Sequence, residues 1–194
     1  MRMDLRNGTW LNQPKSWHAE RDRMTLTTDE RTDFWRKTHY GFIRDSGHFL
    51  AFPVEGSFTA TMTVRGRFSE LYDQAGMMLR IYDGRWIKAG VEFSDGERYL
   101  SAVVTNGRSD WSLSQPFKVS EEFHLRMTLK GNAVRIQASA DAVLWSLIRL
   151  APFPPADRYL VGPMACTPER SGLTVEFSDF DIGPAIDKGL HDLT

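Results

Sequence analysis

The chain has 194 residues, with 24 Lys and Arg against 25 Asp and Glu, so its net charge is −1 with His neutral. That balance argues against broad attraction to nucleic acid or an anionic membrane, and the single cysteine, Cys166, excludes an intrachain disulfide. The length suits one large all-β domain that buries most of its apolar surface without a covalent staple.

At the N-terminus, MRMDLRNGTW carries no apolar run of the signal-peptide kind, and no window approaches the roughly 18 apolar residues of a membrane span. The expectation is a cytoplasmic protein with no membrane or nucleic-acid partner. Residues 33–50, DFWRKTHYGFIRDSGHFL, read as a long loop or broken strand rich in polar and aromatic groups: Trp35, Arg36, His39, Tyr40, Arg44, Asp45 and His48. Such segments often carry function. The bland alternative is that Phe34, Tyr40 and Phe42 plug one end of the fold while the charges are solvated. FTATMTVRGRF (58–68) alternates with period 2, as do FHLRMTLK (123–130), AVRIQAS (133–139) and LTVEFSDFDI (173–182). Asx-Gly or Gly-Asx pairs at 83–84, 95–96, 106–107 and 131–132 separate the runs. No amphipathic helix of ten or more residues is apparent. Pro152, Pro154 and Pro155 mark one long connection, after which strand patterning resumes at Tyr159. The expected architecture is an antiparallel β-sandwich in a single domain over 1–194, with its core at about 8–183. Residues 184–194 are expected to form a tail that makes a short helical turn or frays.

The stretch YDQAGMMLRIYDGRWIKAGVEFSDGERYL (72–100) holds the most information. Alternate residues give an apolar set of Ala75, Met77, Leu79, Ile81, Ile87, Ala89, Val91 and Phe93, and a second set of Gln74, Arg80, Trp86, Lys88 and Glu92. A two-residue Asp83-Gly84 hairpin would place Arg80 beside Ile87 and mix the faces. A three-residue loop, with Gly84 in a left-handed bulge position, pairs Leu79 with Ile87 and Arg80 with Trp86, so that register is expected. A four-residue loop from Ser94 to Glu97 then pairs Val91 with Leu100 and Glu92 with Tyr99. Three strands thereby share one polar face of Gln74, Arg80, Trp86, Lys88, Glu92, Tyr99 and Ser101. Such a face is either solvated, with ordinary cross-strand pairs, or receives a ligand. In the second case the aromatic packs on sugar C–H groups and the long polar side chains take the hydroxyls.

The segments at 33–50, YDQAGMMLR (72–80), WIKAGVEFSDG (86–96) and LSAVVTNGRSDWS (100–112) occur in the order and spacing that resemble the domain-of-unknown-function 1349 family. The resemblance runs from about Trp10 to Ile182. It implies a concanavalin A-like jelly roll, similar to lectin and glucanase domains, and little about activity. The family includes fungal members named for regulation of enolase, which implies a protein partner as an alternative. Ser139–Trp145 lacks the Asp-Gly turn before Trp that such domains often have, so pairing there is expected to be irregular.

Glycoside hydrolysis needs two carboxyl groups. Only Glu92 is placed firmly on the polar face, with Asp45 and Asp73 approaching from loops, so a hydrolase is the weaker alternative. The expectation is no catalytic residue, no metal and no cofactor. His39 and His48 have no metal-type spacing. Cys166 reads as an inert core thiol, and Trp111 as core in preference to rim. The function expected is noncatalytic binding of a carbohydrate or similar polyhydroxylated ligand on the concave sheet. Trp86 is expected to be the stacking platform, oriented by Arg80. Gln74, Lys88 and Glu92, beside Tyr99, are the expected hydrogen-bonding set, and Trp35, Tyr40 and His48 the rim.

Overall fold

The structure is a computed structural model that describes residues 1–116 and 121–194. Its strands in chain order are β1 (Thr9–Leu11), β2 (Ser16–Ala19), β3 (Arg23–Thr27), β4 (Phe34–Arg36), β5 (Ile43–Asp45), β6 (His48–Val54), β7 (Phe58–Gly66) and β8 (Gln74–Tyr82). There follow β9 (Arg85–Ser94), β10 (Glu97–Asn106), β11 (Ser109–Pro116), β12 (Glu122–Lys130), β13 (Ala133–Ser139), β14 (Ser146–Pro152), β15 (Tyr159–Cys166) and β16 (Thr174–Pro184). The first sheet runs β1-β6-β15-β8-β9-β10-β11 and the second β14-β13-β12-β7-β16-β3-β2. Their inner faces bury one continuous core that includes Met77, Leu79, Ile87, Val91, Leu125, Ile136 and Phe177. The expected jelly-roll sandwich is the fold observed.

Register follows the hydrophobic alternation. Leu79 pairs with Ile87, Met77 with Ala89, Arg80 with Trp86 and Gln74 with Glu92, while across the next hairpin Val91 pairs with Leu100 and Glu92 with Tyr99. The turns differ from expectation. Tyr82 pairs with Arg85, so Asp83-Gly84 is a two-residue turn, and Gly84 does not adopt positive φ. The extra residue is Ile81, bulged between Arg80 and Tyr82, so the strand end rather than the loop restores the parity. Ser94 pairs with Glu97, leaving a two-residue turn whose Asp95 and Gly96 have φ of 51° and 79°. That is the left-handed geometry which an Asp-Gly pair tolerates. The turn expected to be irregular is a six-residue connection, 140–145, with Ala142 at φ 58°, and the β13–β14 pairing carries a separate register shift between Ile136 and Gln137.

A third layer lies outside the first sheet. β4 and β5 form a separate two-stranded hairpin. Beneath it Phe34, Phe49, Ala51, Met78, Trp86, Val103, Met164 and Cys166 form a second apolar cluster on the outer face of the first sheet. The segment read as a long loop or broken strand therefore crosses the face of the sandwich, where the bland alternative had it plug one end. Its tip is a tight turn in which Lys37, His39 and Gly41 all have positive φ, closed by Lys37 N–H to Phe42 O at 2.7 Å and Gly41 N–H to Lys37 O at 2.8 Å. After β16 the C-terminal residues lie on the outer face of the second sheet and make one short turn, closed by Asp192 N–H to Gly189 O at 3.1 Å.

Candidate functional site

Both strands of the hairpin are fastened at its base, where Phe34 pairs with Asp45. Arg80 donates to both carboxylate oxygens of Asp45, at 2.6 and 2.8 Å. Beside it, Asp33 accepts from Lys88 Nζ at 3.2 Å and from the Phe34 backbone N–H at 2.7 Å. From these ties towards its tip the hairpin leaves a cavity of about 150 Å³. A single water needs about 10–15 Å³ on the same scale, so the space takes one small ring-sized molecule. Asp33, Gln74, Lys88 and Glu92 form its polar end, and Trp35, Tyr40, Phe42, Tyr72 and Trp111 its aromatic walls.

The mouth is built from loops. Tyr40 stacks on Phe42 with ring centroids 5.2 Å apart, and Trp35 meets Tyr40 edge-on at 5.9 Å. Across the opening the Tyr40 and Tyr72 hydroxyls lie 3.3 Å apart. That contact and partial burial push the Tyr72 pKa up to about 12. Tyr72 is placed by the loop behind it, where fully buried Asp73 accepts from the Ser69 and Glu70 N–H groups and from Arg170 Nε at 2.8 Å.

The polar end is a small electrostatic circuit. Lys88 is 3 % exposed, and burial works against its ammonium. The neighbouring acidic groups, Asp33 first among them, outweigh that penalty, and the Lys88 pKa stands above its ordinary value. Glu92 moves up as well, because burial disfavours its charge more than Lys88 and the Ser101 hydroxyl favour it. Asp33 is thus the counter-ion of Lys88, and Glu92 is biased towards the neutral acid. Trp111 Nε1 donates to Ser101 Oγ at 3.2 Å, and Ser101 donates to Glu92 Oε2 at 2.8 Å, a chain that fixes the Glu92 carboxyl. Cys166 lies behind this end, its Sγ 3.7 Å from Gln74 Oε1, and burial pushes its thiol up to about 12. Among the described residues, Lys88 Nζ donates one hydrogen bond, to Asp33. An ammonium has three N–H donors, so two remain for an occupant of the cavity.

The expected site residues divide. Gln74, Lys88, Glu92, Trp35 and Tyr40 line the cavity. Trp86 does not: it is 0 % exposed, edge-on to Phe34 at 6.1 Å, with Nε1 donating to Asp83 O, so it is core beneath the hairpin and no stacking platform. Arg80 is spent on Asp45 and does not orient a ligand. His48 is buried, with Nδ1 donating to Asn12 O at 2.7 Å and Nε2 accepting from the Asp29 N–H at 3.0 Å, which makes it a brace between loops and not a rim residue. Tyr99, opposite Glu92, is half-buried outside the cavity lining. Asp45 and Asp73, expected from loops, are each held by an arginine. Trp111 is 39 % exposed and lies on the wall, not in the core. Phe42 and Arg44, noted in the 33–50 segment but not as site residues, also line the cavity, as do Asp33, Tyr72, Val103, Pro168 and Glu169, which the sequence reading missed. One signal pointed to Asp33: a lysine on a face that becomes covered demands a carboxylate from whatever covers it.

Residues 10–185 match the family described as "Protein of unknown function (DUF1349)". The chain belongs to this family. A DUF1349 relative, the Saccharomyces cerevisiae protein named Regulation of enolase protein 1, is 55 % identical over 191 residues, covering 98 % of this chain and 96 % of its own. A crystal structure of a functionally unknown S. cerevisiae protein superposes with TM-score 0.92 at 54 % identity, over 95 % of this chain and 100 % of that one. More distant likenesses show the sandwich fold alone. The GH43 protein BlXynB of Bacillus licheniformis has TM-score 0.71 at 13 % identity, over 95 % of this chain and 39 % of that chain. The carbohydrate-binding module CBM66 of Bacillus subtilis has TM-score 0.50 at 12 % identity, over 91 % of each chain.

Proposed function

We propose that this chain binds, without turning over, a small neutral polyhydroxylated molecule such as a monosaccharide unit in the cavity under the β4–β5 hairpin. The observation that carries the reading is the buried Lys88 ammonium with two N–H donors left for an occupant. Beside it stand an acceptor (Asp33), an amide that both donates and accepts (Gln74) and a carboxyl biased towards its neutral form (Glu92). Hydroxyl groups also donate and accept, so they suit such a set, while the aromatic walls suit the C–H faces of a sugar ring. The Asp33–Lys88 pair balances its own charge, which favours a neutral ligand. A solved module of the same fold is named as carbohydrate-binding, in keeping with this reading.

The test is a calorimetric and melting-temperature panel of neutral monosaccharides, sugar acids and sugar phosphates. One neutral class is expected to bind, and Trp111→Ala is expected to weaken it about tenfold, the equivalent of roughly 1.4 kcal/mol of ring contact. If no sugar binds the parent, the reading is wrong. Products released from oligosaccharides in the same samples would show turnover, with Glu92 as acid and Asp33 as the second carboxylate.

A second reading rests on the 55 % identical relative named Regulation of enolase protein 1. On it, the exposed tip residues His39 and Tyr40 are the surface offered to an enzyme. Co-elution with purified enolase that Tyr40→Ala abolishes and Glu92→Gln preserves would favour this reading over sugar binding.

A further inference from the structure

On the outer face of the second sheet, Arg126 of β12 and Arg135 of β13 are diagonal neighbours. Arg126 pairs with Gln137, and Arg135 pairs with Thr128. Such positions lie about 7–8 Å apart along adjacent strands, within joint reach of one small ion. Both arginines are only 7 % exposed. Two other arginines of low exposure meet carboxylates: Arg80 meets Asp45 and Arg170 meets Asp73. Among the described residues no carboxylate lies within ion-pair distance of Arg126 or Arg135.

Backbone carbonyls stand in its place. Arg135 donates to Lys188 O and Gly189 O at 3.1 and 3.0 Å, and Arg126 to Thr194 O at 3.3 Å and Gln137 Oε1 at 3.1 Å. Arg126 also lies over the Trp145 ring at 4.4 Å. Arg135 Nε is buried with no acceptor. Burial, and then the neighbouring Arg135 charge, lower the Arg126 pKa against a smaller opposing pull from the Asp192 carboxylate. The single oxygens of Gln137, Lys188 and Gly189 are a poor match for two adjacent guanidiniums, which are built for the forked oxygens of phosphate or carboxylate.

The carbonyls belong to a strap, residues 185–194, that has no regular structure and is exposed from Asp187 onward. Besides the two arginines, few contacts hold it, among them an exposed ion pair of Asp187 with Lys130 Nζ at 2.6 Å. Ile186 N–H donates to Thr59 Oγ1 and Trp145 N–H to Leu193 O, Lys188 Nζ reaches Thr194 O, and Asp192 Oδ1 caps the Thr194 N–H. We propose that Arg126 and Arg135 form a phosphate-binding site that residues 185–194 occlude, so that phosphate and the strap compete for the same two guanidiniums. A tetrahedral dianion offers each arginine a fork of oxygens and reaches the orphaned Nε–H, which the strap does not.

The test is amide hydrogen exchange on the full chain in inorganic phosphate against chloride at equal ionic strength. The Ile186, Asp192 and Trp145 amides are expected to exchange faster in phosphate, with β12 unchanged, and Arg135→Gln is expected to remove the difference. Because that variant also loosens the strap, a charge-neutral pair, Lys188→Ala with Asp192→Ala, provides a second measurement. Freeing the site should lower the phosphate concentration needed by about tenfold, since the occluded population no longer dilutes the affinity. Phosphoserine in place of inorganic phosphate separates a phosphorylated ligand from the free ion. Equal exchange in phosphate and chloride, with no change of affinity in the double variant, would overturn the proposal.

Discussion

The two sheets each bury cationic side chains on their outer faces, under a segment that belongs to neither sheet, and they do it differently. Under the β4–β5 hairpin, Arg80 and Lys88 meet Asp45 and Asp33, and the cover stands off far enough to leave a cavity. Under residues 185–194, Arg126 and Arg135 meet backbone and amide oxygens and the Trp145 ring, and the Asp192 carboxylate acts on Arg126 without an ion-pair contact. A covering segment that makes close buried ion pairs is locked to its face, because removing either partner strands a charge in low dielectric. One that makes none strands less when it leaves. The hairpin is therefore part of the fold, and the strap is held by exchangeable contacts.

The strongest way to break the comparison is to remove what the hairpin packs upon. Trp86→Ala, fully buried under Phe34, is expected to destabilise by about 3–5 kcal/mol in urea titrations. A surface platform would lose far less. Next comes Asp33→Asn, which leaves Lys88 buried without its counter-ion and should cost about 3 kcal/mol. Arg135→Met on the other face should cost only about 1 kcal/mol, since the carbonyls it abandons can turn to water. Equal losses in these two would erase the distinction between the faces. Arg80→Met unties Asp45, which is partly exposed, so roughly 1–2 kcal/mol is expected. Its clearer signature is faster hydrogen exchange confined to residues 34–45. The smallest effect is a pH dependence. Burial raises the Glu92 pKa, so the folded chain keeps a proton that the unfolded chain releases above about pH 4.3. The stability this supplies is full below that pH and is lost as pH rises towards the folded value. Glu92→Gln should remove that decline, seen as a melting temperature that gains on the parent from about pH 5 upward. A gain towards acid instead would contradict the assignment.

Alternation made the sandwich, the register and the polar face legible, because a one-residue slip at Leu79 or Ile87 would turn a whole apolar row outward. It also named Gln74, Lys88 and Glu92 correctly as neighbours. What it missed is the third layer. Period-2 reasoning says which side of a strand faces the core, but not that another segment covers the opposite side. Trp86 and Arg80 consequently read as an open ligand-facing pair, Trp111 reads as core when it lines the wall, and Asp33 and Tyr72 have no place in that reading. His48 failed for a related reason, since its two ring nitrogens brace loops that are distant in sequence. At both hairpins the Asx-Gly pairs gave the place of the turn, while the bulge at Ile81 showed that parity can be restored in the strand.

Cys166 turns the covered face into its own reporter. Its thiol is fully buried behind Gln74, with its pKa pushed up to about 12, so folded chains are nearly inert to alkylating reagents. Alkylation then proceeds only through molecules whose floor has opened. With no second thiol to compete, the labelling rate becomes a stopwatch for how often the cavity end comes apart. Any ligand that settles against Lys88 and Glu92 should slow that stopwatch in proportion to its occupancy, without a probe having to be attached near the site.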